Sequence, residues 1–144
     1  SPAVAPLLNI GATEWGQRPR DAWPDAAALG LDASHANELA TLMLDPAVHA
    51  VDPALSEDDP ALWFTLHLPR VLAQVGGADA VAPLVQALTR AERDDWFGDA
   101  LGEEFTLLID AIGPAALPGL LNAVADPALG WYALSGATRG AVRL

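Results

Sequence analysis

Apolar residues in this chain recur three or four positions apart, and no alternating apolar–polar run of useful strand length appears. Leu62, Leu66, Val71, Leu72 and Val75 form one such stripe. Asp59 reads as its N-cap, Pro60 as its first helical residue, and Gly76-Gly77 as its close. Pro69 lies inside this helix, where its missing N–H predicts a kink. Val81, Leu84, Val85 and Leu88 make a second stripe, with Pro83 in the opening turn, where a lost donor costs least. Phe97, Leu101, Phe105, Leu108, Ile109 and Ile112 make a third, with Asp99, Glu103, Thr106 and Asp110 largely on the opposite face. Leu117, Leu120, Leu121 and Val124 make a fourth. Asp126 and Pro127 then read as the start of a last helix anchored by Trp131, Leu134 and Val142.

The middle of the chain repeats itself. Residues 72–88, LAQVGGADAVAPLVQAL, lie over residues 109–124, IDAIGPAALPGLLNAV. Val81, Leu84 and Leu88 match Leu117, Leu120 and Val124, each pair 36 residues apart. Upstream the offset is 37: Val75-Gly76 matches Ile112-Gly113, and Val71-Leu72 matches Leu108-Ile109, so the loop differs by one residue. A fixed period in this range marks a helical repeat array.

The expected organisation is one domain over 1–144. Residues 1–58 form an N-terminal cap and connector, 59–93 a first helix pair, 94–125 a second, and 126–144 the first helix of an incomplete third. Within the cap, WPDAAALG predicts a short helix from Pro24 to Gly30. LDASHANELATLML predicts a better one, capped by Asp32 or Ser34, with Leu39, Leu42 and Met43 buried. Three Asp-Pro steps at Asp45, Asp52 and Asp59 read as a connector.

A Gly after the first helix, then an apolar-Ala-Pro-Leu opening of the second, resembles the HEAT-like repeat family, in the variety seen in phycobilisome-lyase-type repeats and many bacterial proteins. The likeness covers roughly residues 60–144; Asp126-Pro127 lacks the Val-Arg that often follows the family's inter-repeat Asp. The resemblance implies an all-α fold, an α-solenoid of helix pairs in a right-handed superhelix. It is nearly silent on activity, since such repeats serve as scaffolds, lyases and nucleic-acid enzymes alike.

Charge narrows the field. Nineteen acidic residues face seven arginines and no lysine, a formal charge of −12. Such a surface repels phosphate backbones and anionic lipid, so neither nucleic acid nor membrane is an expected partner. The apolar runs look too short and too broken to span a bilayer, and no signal peptide is evident. Cysteine is absent, which excludes disulfides, thiolate catalysis and Cys-ligated metal, and fits a cytoplasmic location.

Nothing in the sequence assigns chemistry. His35, His49 and His67 have no metal-ligand spacing, and no nucleophile elbow, phosphate loop or dinucleotide fingerprint occurs. The clusters Glu57-Asp58-Asp59 and Glu92–Asp95 read as caps and solvated charge rather than calcium loops, and Glu103 and Glu104 as a solvated helix face. No cofactor or metal is expected, and the reading leans away from an enzyme. Trp63, Trp96 and Trp131 each open a unit, 33 and 35 residues apart, as a packed column or an exposed aromatic row.

The expected function is a protein–protein interaction scaffold that binds where the second helices line up, through Trp63, His67, Arg70, Arg90 and Trp96. The alternative is a small-molecule or lyase-like protein, by analogy with tetrapyrrole-handling relatives, with His67 and acidic neighbours holding the ligand. A DNA-repair enzyme on this fold would need a basic surface that the chain lacks. An uncovered apolar stripe at the end of the array predicts either self-association through the C-terminal helix or a longer native chain.

Overall fold

The computed structural model describes residues 2–12, 23–50, 59–91 and 95–144, with backbone alone at 91, 95 and 96. All regular structure among these residues is helical. We number the α-helices α1 (Ala36–Leu44), α2 (Pro46–His49), α3 (Pro60–Val75), α4 (Val81–Ala91), α5 (Asp95–Ile112), α6 (Leu117–Val124) and α7 (Trp131–Arg143).

Helix starts follow the caps. The Asp59 carboxylate accepts the Ala61 N–H at 2.9 Å, with Pro60 next in the chain. The Asp32 carboxylate accepts from Ser34 N at 2.9 Å while His35 Nδ1 accepts from Asp32 N at 3.2 Å, closing a reciprocal cap ahead of α1. Leu39 and Met43 of α1 are buried as expected, and Leu42 is half-buried.

Helix α3 is the centre of the molecule. It continues through Pro69, and every residue from Thr65 to Ala73 is buried, the mark of a helix covered on all sides. Its cover comes from α1, from α5, and from the 3-10 helix at Ala5–Asn9, which inserts Leu7. Helix α5 packs in turn on α7, so the first helices stack in the order α3, α5, α7. The second helices α4 and α6 pack on each other, and α4 also meets α5 and α7.

The repeat has a backbone basis. Gly77 (φ 51°) and Gly113 (φ 76°) adopt the left-handed conformation that glycine tolerates best, and each opens a 3-10 turn leading into α4 or α6. They are 36 residues apart, as are the helix starts Val81 and Leu117, whereas α3 and α5 end 37 apart at Val75 and Ile112. The extra residue in the first loop is therefore Gly76. The sequence alignment pairs Gly76 with Gly113; the backbone pairs Gly77 with it.

Two expectations for local structure are corrected. Residues 24–30 form turns rather than a helix, ended by Gly30 at φ 74° and the bond from Leu31 N to the Ala26 carbonyl. Helix α7 begins at Trp131, not Pro127; Asp126 instead caps a turn by accepting from Ala128 N at 2.9 Å. Its expected anchors also point the wrong way. Trp131 is 76% exposed and Val142 83%, with Leu134 exposed as well, while the buried face is Ala133, Gly136, Ala137 and Gly140. The reason is close approach. A Cβ added at Gly136 would lie 2.7 Å from Leu88 Cδ1, and one at Gly140 would lie 3.1 Å from Ile109 Cγ1. Only the smallest face of α7 fits there, which turns the large residues outward.

One stretch, Phe97–Val124, is long and apolar enough by composition to cross a bilayer, with mean hydropathy 1.6, against the expectation that none is. It is not one rod. It breaks at Gly113 into α5 and α6, and α5 uses its apolar side inside the protein, where Leu101, Phe105, Leu108 and Ile109 are buried.

Candidate binding surfaces

The most demanding chemistry lies inside. Arg70 of α3 and Glu104 of α5 are 0% and 4% exposed and form a two-point pair, Nε to Oε2 at 2.8 Å and one terminal guanidinium nitrogen to Oε1 at 2.5 Å. A fork meeting a carboxylate edge in this way is the geometry that best offsets desolvation of both charges. Glu104 is thus no solvated residue, contrary to the expectation for Glu103-Glu104; Glu103 alone is exposed.

His67 lies one turn before Arg70 and is fully buried. Its Nε2–H donates to the Gly11 carbonyl at 3.3 Å, and Nδ1 has no hydrogen-bond partner among the described residues. Burial pushes its pKa down to about 4, with the Arg70 charge adding to the effect and the Gly11 and Ile10 carbonyls opposing it. The ring is neutral, and among the described residues it faces a backbone carbonyl rather than the acidic neighbours expected beside it. Gln74, one turn beyond Arg70, takes the Ala26 N–H and donates to the Pro24 carbonyl at 2.9 Å, tying the N-terminal segment onto α3. This row of α3 is an internal fastening.

The five residues expected on a partner face therefore separate. His67 and Arg70 are withdrawn into the core, because α3 is covered all round rather than amphipathic. Trp63 is half-buried and packs against the core. The side chain of Trp96 lies outside the described residues, as do Glu57, Asp58 and Glu92–Asp94. Arg90 is exposed, and its guanidinium donates to the carbonyl of Leu44, the last residue of α1.

Two surfaces stand out, of which the sequence points to the second, as the uncovered apolar stripe of the last helix, and not to the first. The first is a groove of about 430 Å³ between α4, α6 and the turn after α6. Its floor is apolar, from Val85, Ala123 and Leu129, and Gln86, Asn122 and Asp126 line it. Gln86 and Asn122 are exposed, are 36 residues apart and so occupy the same repeat position, and make no hydrogen bond among the described residues. The 36-residue period that pairs the apolar positions pairs these two carboxamides as well.

The second surface is the outer side of the C-terminal helices, where Trp131, Leu134 and Val142 of α7 are exposed, together with Leu121 of α6 and the terminal Leu144. Arg143 at its edge is held by Asp110, Nε to Oδ1 at 2.7 Å, which raises its pKa. That pair is exposed and worth little to stability. Among the described residues no group of three or more His, Asp or Glu side chains could hold a metal ion. No known protein family, curated protein or solved structure matches the chain.

Proposed function

We propose that this chain is an adaptor built as a HEAT-like solenoid, and that it takes an extended, basic segment of a partner protein along its second helices. The stacking order of α3, α5 and α7 beside α4 and α6, with its 36-residue period, supports the solenoid. The repeated carboxamide carries the binding reading. An exposed Gln or Asn side chain offers both a donor and an acceptor, which suits the N–H and C=O groups of a polypeptide backbone. Packed helices sit ~8–10 Å apart, so Gln86 and Asn122 would be spaced by about three residues of extended chain. The apolar floor between them takes one side chain of the segment. Asp126, on a chain of net charge −12, selects Lys or Arg rather than Asp or Glu.

Selection from a random peptide display library on the immobilised full chain tests this reading. Lys- or Arg-containing peptides are expected to enrich, and Gln86→Ala with Asn122→Ala is expected to weaken them at least ~10-fold. Peptides that bind the double variant as tightly as the parent would refute it.

The outer face of α7 favours a second contact, with another copy of the chain. In a two-fold arrangement of antiparallel α7 helices, Trp131 of one copy packs near Val142 of the other. Sedimentation at rising concentration is expected to show a dimer that Trp131→Ser with Val142→Ser removes. A monomer at every concentration would rule this out.

A further inference from the structure

A second cavity, of about 310 Å³, lies where α1 and α2 meet α4 and the start of α5. Its walls are mostly apolar, from Met43, Ala50, Ala87 and Phe97, and the Phe97 and His49 rings meet at 4.4 Å between centroids. His49 is held in place by its Nε2–H, which donates to the Met43 carbonyl at 2.6 Å, and it contributes a flat wall.

Arg90 is the one cation among the described lining residues. The bond to the Leu44 carbonyl satisfies an orphan carbonyl at the end of α1 and suits the negative end of that helix. It uses one of five guanidinium N–H donors, and no carboxylate among the described residues pairs with Arg90. The chain has nineteen acidic residues, and of the four arginines in the described segments Arg70 pairs with Glu104 and Arg143 with Asp110, while Arg139 is exposed. Among the described residues Arg90 is left with a carbonyl and a largely apolar cavity.

We propose that this cavity binds a small organic monocarboxylate with an aryl or branched-alkyl body. The carboxylate meets the free edge of the Arg90 guanidinium, and the body lies between Met43 and the His49–Phe97 wall. A single guanidinium fork matches one carboxylate edge in shape and charge. A phosphate or sulfate dianion would bring a second charge with no second cation among the described lining residues to meet it, on a protein already at −12. The cavity size falls at the lower end of the range for small-molecule sites, which sets an upper bound near a single ring plus a short acid arm.

Met43 is the only methionine of the chain, so its ¹³C-labelled ε-methyl gives a single NMR signal inside this cavity. Phenylacetate at pH 7.5 is the probe, and neutral phenylacetamide, nearly the same shape, is its control. The expected result is a saturable shift of the Met43 signal by phenylacetate in the millimolar range or tighter, with phenylacetamide at least ~10-fold weaker. Arg90→Gln is expected to lose phenylacetate binding to a similar degree. An unmoved Met43 signal, or equal responses to acid and amide, would overturn the proposal on the parent protein alone, even where the variant fails to fold. Retained binding in a folded Arg90→Gln would overturn it as well.

Discussion

Glu104→Gln is expected to destabilise the protein by ~3–5 kcal/mol, because it leaves the Arg70 guanidinium buried with no counter-charge. The cost does not measure the worth of the pair. Both charges surrendered their hydration on folding, and their mutual attraction repays that only while both are present. Removing both together is therefore expected to behave differently. Arg70→Met with Glu104→Leu replaces the pair by apolar volume in the same space and should recover most or all of the loss. Urea unfolding at pH 7 of the parent, the two single variants and the double variant separates these effects. A double-variant loss equal to the sum of the single losses would mean that the two charges are not coupled.

The second large effect is a pH dependence. In the folded protein His67 titrates at about 4, against 6.5 for the free side chain. Between those values the unfolded chain takes up a proton at this site and the folded chain does not, so stability falls as pH falls. The contribution is fully present above pH 6.5 and amounts to about 3 kcal/mol, lost as pH drops to about 4. His67→Gln keeps a donor for the Gly11 carbonyl and cannot titrate. Urea midpoints from pH 7.5 to 4.0 should thus fall more steeply in the parent than in the variant. Parallel curves would show that His67 is protonated, or solvated, in the folded state.

These two positions are related by the repeat. Residue 104 lies 37 after residue 67, the offset that aligns α3 with α5, so one position on the first helix carries a buried polar group in both units. In the first unit it is a neutral imidazole against a backbone carbonyl; in the second it is a carboxylate against Arg70. The charge of Glu104 made it read as surface, because buried carboxylates are rare unless paired. Its partner is 34 residues away on a different helix, which no local pattern reveals.

The helix stripes, the Asp59 and Asp32 caps and the glycine turns were legible because each depends on neighbours three or four residues away. Helix α7 was misread for the opposite reason. Hydrophobicity ranks Trp131, Leu134 and Val142 as its core face, but the gap left by Leu88, Phe105 and Ile109 admits only alanine and glycine. Packing distance, not transfer free energy, chose the buried side. The same limit applied to α3. Its spacing suggested an inner and an outer face, yet the Ala5–Asn9 turn and α1 cover the presumed outer side. That cover buries His67 and Arg70, whereas Arg90, Gln86 and Asn122 are exposed, the last two with no hydrogen bond among the described residues.

If the second helices present a ladder to an extended chain, the two carboxamides are where its binding is seen. In ¹⁵N-labelled protein, the side-chain NH₂ signals of Gln86 and Asn122 would be followed during titration with a selected basic peptide of about nine residues, roughly 30 Å when extended. Both signals are expected to shift together and to saturate at the same peptide concentration. Saturable binding that moves the Trp131 indole signal and leaves both carboxamides in place would contradict the ladder.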